Sequence, residues 1–237
     1  MQNTLSLILP TYNESENVPE LLQRLDLVLK NIPKEVIVVD DNSPDKTWEV
    51  AEKLMSQYPW LRVLRRTNER GLSSAVLAGF AIAKGNYLGV MDADLQHDEK
   101  ILPKLYELLM NGADIAIGSR KSKGGKIENW SLFRKMVSNI ASWLSRIILG
   151  QSRVSDPMSG YFVLNRKIYE NCKAIINPLG FKILLEFIVR APQARIEECG
   201  FVFRPRSHGK SKLSQVVIFQ YLKALWDLRK FVRGEKL

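Results

Sequence analysis

The sequence predicts an α/β fold, a mainly parallel central sheet flanked by helices and followed by an amphipathic C-terminal helix. Three observations predict it. Through the first half of the chain, short apolar runs of strand length alternate with segments whose apolar residues recur at helical spacing. The run Val36–Val39 is continuously β-branched or aliphatic, the pattern of a strand covered on both faces in a parallel sheet. Finally, the 237 residues are 46% hydrophobic and 25% charged, enough for one large core and unlike a disordered or low-complexity chain.

Taken in order, Leu5–Leu9 is a strand ended by Pro10, and Leu21, Leu22, Leu25, Val28 and Leu29 mark a helix that stops before Pro33. The strand Val36–Val39 ends at Asp40 and Asp41. A helix over Thr47–Gln57, a strand over Arg62–Leu64, a helix over Leu72–Lys84 and a strand over Tyr87–Met91 follow. A helix over Leu102–Met110 and a strand over Asp114–Gly118 continue the alternation, which implies three layers. After Gly118 the rhythm breaks. The polar, glycine-containing stretch KSKGGKIENW reads as a mobile loop, and Ser131–Leu149 as an unusually apolar helix carrying Phe133, Met136, Ile140, Trp143 and Ile147. SDPMSGYFVLN reads as a turn into a strand, Phe181–Ala191 as a helix and Arg195–Arg204 as a strand. The loop RSHGKSKLS leads to a last helix from Gln215 to about Arg233. With no internal repeat and no convincing linker, residues 1–213 are expected to form one domain and 214–237 a basic amphipathic helix and tail.

Charge is the outlying property. Lys and Arg number 35 against 25 Asp and Glu, leaving +10. Such a surplus points to an anionic partner, whether nucleic acid, a phosphorylated small molecule or a membrane surface. In the last 34 residues, nine basic side chains oppose Asp227 and Glu235, a local +7. The final helix sets that charge beside Val217, Ile218, Tyr221, Leu222, Leu225 and Trp226, which suits either packing on the domain or an anionic bilayer interface. No window of ~18 apolar residues exists to span a bilayer, and the N-terminus does not read as a secretory signal. Cys172 and Cys199 are too few for a disulfide framework, so a reduced cytosolic setting is expected.

Ligands of open α/β sheets bind beyond the carboxyl ends of the strands. Those ends carry Pro10-Thr11-Tyr12-Asn13-Glu14, Asp40-Asp41-Asn42-Ser43, Asp92-Ala93-Asp94-Leu95-Gln96 and Gly118-Ser119-Arg120. Three of the four are acidic. Clustered carboxylates repel unless a cation or donor hydrogens intervene. Two carboxylates one residue apart, with the oxygen of Gln96 nearby, suit a hard cation such as Mg²⁺ or Mn²⁺. The competing reading is an ordinary turn with aspartates at capping positions.

The segments LILPTYNESENVPELL, VIVVDDNSPDKTWEVA, RGLSSAVLAGFAIAKGNYLGVMDADLQHDE, GSR, DPMSGYFVL and RSHGKSKL, in that order, resemble glycosyltransferase family 2. Within it they most resemble the dolichol-phosphate (polyprenol-phosphate) mannosyltransferases, over about Leu5 to Leu213. The resemblance implies a GT-A type nucleotide-sugar-binding fold, a divalent metal and inversion at the transferred sugar. It implies a donor, GDP-mannose first and UDP-glucose as the alternative, and a polyprenyl phosphate acceptor. It places Pro10, Tyr12 and Glu14 around the nucleoside and Val39 and Asp41 at base and ribose. Asp92, Ala93, Asp94 and Gln96 then carry metal and diphosphate, with Asp92, Asp94 and Gln96 the metal set. Arg120 faces the donor, Arg206 and Lys212 close over the phosphates, and Arg134 and Ser138 hold the acceptor phosphate. Asp94, Arg120, Arg206 and Lys212 are the expected catalytic residues. The resembled proteins without membrane spans work peripherally at a membrane, directly or through an anchoring partner, so the cytosolic face of a membrane is expected.

An acceptor phosphate is already an anion near neutrality, since its second pKa is about 6, so no dedicated general base is required. The only histidines are His97, expected in a supporting or capping role, and His208, in the loop. Asp156 and Glu186 are base candidates for a hydroxyl acceptor, but a turn residue and a paired helix residue are the simpler readings. The remaining class, a basic nucleic-acid-binding protein, has charge in its favour but no zinc-finger, RNP or helix-turn-helix pattern.

Overall fold

A computed structural model of the chain describes residues 3–128, 132–150, 153–178, 182–205 and 215–234. Its strands are β1 (Leu5–Thr11), β2 (Lys34–Asp40), β3 (Leu61–Arg65), β4 (Tyr87–Val90), β5 (Ile115–Ser119), β6 (Lys126–Ile127), β7 (Phe162–Asn165), β8 (Ile196–Gly200) and β9 (Val202–Phe203). The helices are α1 (Val18–Val28), α2 (Thr47–Leu54), α3 (Leu72–Ile82), α4 (Leu102–Met110), α5 (Leu132–Leu149), α6 (Arg166–Cys172), α7 (Ile183–Arg190) and α8 (Gln215–Val232). Seven strands form one sheet in the order β3-β2-β1-β4-β7-β5-β8, and β6 pairs with β9 in a separate two-stranded ribbon.

Within the large sheet only β7 runs against the others. The carboxyl ends of β1, β2, β4, β5 and β8 therefore share one rim with the start of β7. The antiparallel strand matters for that reason: the turn before it, Asp156–Tyr161, is delivered to the same rim as the acidic loops.

The alternation of side chains along the strands sorts the core into two layers. Leu5, Leu7, Leu9, Val36 and Val38 face α1, α2 and α4. Ile8, Ile37, Val39, Leu88 and Val90 face α3, α6 and α7. Every residue of α7 is buried, because its far side, Leu185 and Val189, is covered by Leu225 and Leu228 of α8, with Leu144 and Ile148 of α5 packed alongside. The Tyr221 hydroxyl donates to the Ala141 carbonyl at 2.6 Å and ties α8 to α5. Thus α5 and α8 form a further layer on the outside of α7. No helix among the described residues is long and apolar enough to cross a membrane.

The structure extends or divides several expected elements. Strand β1 continues through Pro10 to Thr11. Ile8 offers its carbonyl toward β4, so Pro10, two residues on, directs its missing N–H to the same side, where pairing with β4 has already stopped at Ile8. The expected strand over Arg195–Arg204 divides into β8 and β9. At Gly200 the chain leaves the edge of β5 so closely against the Lys123–Gly125 backbone that a Cβ would fall 2.3 Å from the Lys123 carbonyl oxygen, and it then pairs with β6 inside the expected loop. Helix α6 has only seven residues, too few for a periodic signal in the sequence; the Asn165 side chain caps it by accepting from the Lys167 N–H.

Candidate functional site

The rim holds a cavity of about 400 Å³. The end of β1 supplies Pro10, Thr11, Tyr12 and Glu14, the end of β2 supplies Asp41, and the end of β4 supplies Asp92, Ala93 and Asp94. The start of α3 closes it with Gly71, Leu72 and Ala75, and Arg70 lies at its edge. Seven of the residues singled out from the sequence meet in this one cavity: Pro10, Tyr12, Glu14, Asp41, Asp92, Ala93 and Asp94. Val39 does not line it; that side chain is fully buried in the α3 layer of the core.

The loops around the cavity are held by their own polar side chains. Asp40, fully buried, accepts from Thr11 Oγ1 at 2.9 Å, Ser43 N at 2.8 Å and Ser43 Oγ at 2.6 Å. Glu14 N donates to Thr47 Oγ1 at 2.9 Å, while its carboxylate accepts from Asn17 Nδ2 at 2.7 Å. Asp41 pairs with Arg66 at 2.5 Å in a site where both side chains are under a tenth exposed, and its other oxygen accepts the Gly71 N–H at 2.8 Å. Arg66 also donates to the Gly71 carbonyl and to Ser74 Oγ. This buried anchor fixes the turn from β3 into α3, and with it Arg70, whose guanidinium lies 3.7 Å over the centroid of the Tyr12 ring. Asn13, Asn42 and Leu95 all adopt left-handed backbone conformations (φ 58°, 53° and 61°). Asparagine tolerates that region. Leucine does so at a cost of about 1–3 kcal/mol, and Leu95 sits between Asp94 and Gln96, where the strain shapes the acidic loop.

In that loop Asp94 Oδ1 accepts the Gln96 N–H at 3.2 Å. Gln96 is nearly buried and spends its amide Nε2 on the Arg204 carbonyl at 3.0 Å, while the Arg204 N–H returns to the Gln96 carbonyl at 2.9 Å. Gln96 is not among the residues that line the cavity. Two carboxylates and one amide oxygen suit Mg²⁺ or Mn²⁺, which bind through few protein ligands and complete their shell with water and substrate phosphate. Among the described residues no group of three His, Cys, Asp or Glu is placed to hold a metal ion.

His97 lies behind Asp92. Its Nδ1 accepts the Asp92 N–H at 3.2 Å, and its ring stacks on Tyr161 with centroids 5.0 Å apart. Burial lowers its pKa to about 4, against a partial counter-effect from Asp94, so the ring is neutral near pH 7 and supports the loop. Tyr161 is itself fully buried, with its hydroxyl on the Asp98 carbonyl at 3.1 Å. A Cβ on Gly118 would approach Tyr161 Cδ1 to 2.7 Å, which is why the strand end beside this ring carries glycine.

On the far side of Asp92 stands a basic region. Arg120, at the end of β5, makes a two-pronged bond to Asp156 (Nε to Oδ2 2.7 Å, Nη2 to Oδ1 2.8 Å), and its own N–H also reaches Oδ2. Burial alone raises the Asp156 pKa, but Arg120, with a further contribution from Lys121, holds the carboxyl below its ordinary value. Glu198 pins the turn by accepting from Ser155 N, Ser155 Oγ and Asp156 N. Asp156 is thus committed to Arg120, and Glu186 is committed to Arg190 at 2.6 Å. Arg134 and Ser138 lie on helix α5, but their side chains fall outside the described residues, as do Arg206, His208 and Lys212 altogether.

Sequence reasoning did not single out Arg66, Arg70 or the start of α3. The signal was available, since RRTNERG follows the third parallel strand and must reach the same rim. Nor did it single out Lys182, just before α7, whose ammonium donates to the Met158 carbonyl at 3.1 Å.

The model of the family described as Glycosyl transferase family 2 matches residues 6–172. A dolichol-phosphate mannosyltransferase of Pyrococcus furiosus is 48% identical over 228 residues, covering 96% of this chain but 64% of that protein, so the chain spans somewhat under two thirds of that relative. A protein of the same name from Saccharomyces cerevisiae is 43% identical over 242 residues, covering 97% of this chain and 88% of that one. Among solved structures, glucosyl-3-phosphoglycerate synthase from Mycobacterium tuberculosis, in complex with Mn²⁺, UDP and glucosyl-3-phosphoglycerate, superposes with a TM-score of 0.72 at 16% identity. That match covers 99% of this chain and 81% of the other and shows a shared GT-A-like fold.

Proposed function

The chain belongs to glycosyl transferase family 2, and from that membership we propose that it transfers mannose from GDP-mannose to a dolichyl or other polyprenyl phosphate, using Mg²⁺ or Mn²⁺. One observation carries the reading: an acidic, nucleotide-sized cavity and a basic, phosphate-suited region meet across Asp92 on one rim.

The cavity binds the nucleotide, with Tyr12 and Arg70 as one wall and Asp41 held at the other by Arg66. Asp92, Asp94 and Gln96 hold the metal, which when bound stabilises negative charge on the departing diphosphate. An oxygen of the acceptor phosphate forms a bond to C1 of the hexose as the bond from C1 to the diphosphate oxygen breaks. The nucleoside diphosphate leaves with the electron pair, and the configuration at C1 inverts. No proton has to be removed from the acceptor, consistent with a site in which the Asp156 carboxylate is already paired with Arg120.

The acceptor's tail stays in a bilayer, and α5 and α8 offer the surface that meets it. Met136, Ile140, Trp143 and Ile147 recur at helical spacing along α5 and are all exposed, Trp143 by 58%. On the neighbouring α8, Leu222 and Trp226 are exposed beside Lys223, Arg229 and Lys230. Tryptophan with basic side chains suits an anionic lipid interface. The protein therefore works peripherally, on the cytosolic face, where its two free thiols stay reduced, directly or with an anchoring partner.

Turnover tests both statements. With Mn²⁺, the protein is expected to transfer label from GDP-mannose to polyprenyl phosphate in anionic vesicles, in preference to UDP-glucose. Replacing Trp143 and Trp226 by serine is expected to slow transfer on vesicles by roughly tenfold or more and to spare transfer to a detergent-dispersed acceptor. Preference for UDP-glucose overturns the donor assignment, and equal rates in both lipid formats overturn the membrane face.

A further inference from the structure

Lys182 stands where the two halves of the rim meet. Three cations from three different elements grip the turn before β7: Arg120 binds the Asp156 carboxylate, Arg146 of α5 donates to the Ser155 carbonyl at 2.5 Å, and Lys182 donates to the Met158 carbonyl at 3.1 Å. A fourth, Lys121, donates to Ser142 Oγ of α5 at 2.8 Å. Of these four, Arg120 alone forms an ion pair with a carboxylate among the described residues. Glu198 is spent on Ser155 and the Asp156 N–H, and Asp92 acts on Lys182 through space.

Among the described residues, the four cations here outnumber the three carboxylates, Asp92, Asp156 and Glu198, that lie near them. Burial, with Arg120 acting in the same direction, lowers the pKa of Lys182 to about 8 in spite of Asp92 and Asp156. Burial likewise depresses Lys121, with Arg120 and Arg146 acting against it and Asp156 in its favour. A half-buried cation held by neutral oxygens costs stability, and an arriving anion relieves that cost. A lysine ammonium has three donor hydrogens, and among the described residues the Met158 carbonyl is the one acceptor that Lys182 meets.

We propose that Lys182 is a further substrate-binding residue, whose ammonium contacts a phosphate oxygen at the junction between the Asp92–Asp94 loop and Arg120. The contact rests on the transferase reading for its ligand: the acceptor's phosphate, with the donor's diphosphate as the other source of the same oxyanion. Lys182 holds that oxygen toward C1 of the sugar, while Met158 fixes the direction of the ammonium.

The test compares Lys182→Met with Lys182→Arg. A charged hydrogen bond of about 1.5–3 kcal/mol corresponds to roughly a 10- to 150-fold change, so the methionine variant is expected to raise KM for polyprenyl phosphate by at least tenfold. The arginine variant is expected to recover most of that loss. A rise confined to GDP-mannose assigns the same oxyanion contact to the diphosphate. Calorimetric Kd values for inorganic phosphate and for GDP provide a readout without turnover. If the native protein transfers no sugar but Lys182→Met still weakens phosphate or GDP tenfold, the transferase reading fails and the contact stands. Unchanged KM and Kd for both ligands, or an arginine variant as impaired as methionine, overturns the proposal.

Discussion

Replacing Asp94 by asparagine is expected to lower sugar transfer by about 10²- to 10³-fold, the range typical of losing one electrostatic contributor to a developing anion, with little change in stability. Asp94 is 4% exposed and lies at the floor of the cavity. Its Oδ1 accepts the Gln96 N–H, and an asparagine side-chain oxygen can accept the same hydrogen. What asparagine lacks is the negative charge that binds a hard cation against the diphosphate. The loss is expected at every pH, and extra Mn²⁺ recovers it only in part. A native rate in this variant, with a native melting curve, removes Asp94 from the metal site.

Asp156→Ala is expected to act on stability as well as activity. Asp156 is fully buried and Arg120 is 10% exposed as a side chain. Removing one partner of such a pair costs about 3–5 kcal/mol, because the other is left buried without its counter-charge. For a chain of this size that corresponds to a fall in Tm of roughly 6–20 °C. The sign of the pH effect follows from the lowered carboxyl pKa. The pair's contribution is fully present above the ordinary carboxylate pKa of about 3.9 and is lost as pH falls through the lower, folded-state value. Melting curves from pH 7 down to pH 3 therefore narrow the gap between native protein and variant at the acid end. A Tm within about 2 °C of native at pH 7 contradicts the assignment.

The central sheet was legible because its strands announce themselves locally. Val36–Val39 is apolar at every position, and Asp40-Asp41 or Asp92-Ala93-Asp94 ends the run where a buried sheet must end. Parallel direction then brings those ends to one rim, which is how residues as far apart as Tyr12 and Asp94 could be grouped before any geometry was known. What was not legible depends on tertiary packing. Arg66 reads as one more surface cation in a basic stretch, and only the fold shows it buried against Asp41. Lys182 precedes a plainly apolar helix, and its meaning comes from β7 running backwards and carrying Met158 to it. The single strand expected over Arg195–Arg204 divides at Gly200, where the close approach of the Lys123–Gly125 backbone has no local signature in the sequence. Val39 was assigned to the nucleoside by resemblance, whereas the alternation of β2 turns its side chain into the core.

The central claim is that the acidic rim binds a nucleoside diphosphate through a divalent cation. Isothermal titration of the whole protein with GDP, in the presence and absence of Mn²⁺, tests it most directly. The structure predicts binding that strengthens at least tenfold with Mn²⁺ and loses that enhancement in Asp94→Asn. Equal GDP affinity with and without Mn²⁺, or an enhancement that survives in Asp94→Asn, contradicts it.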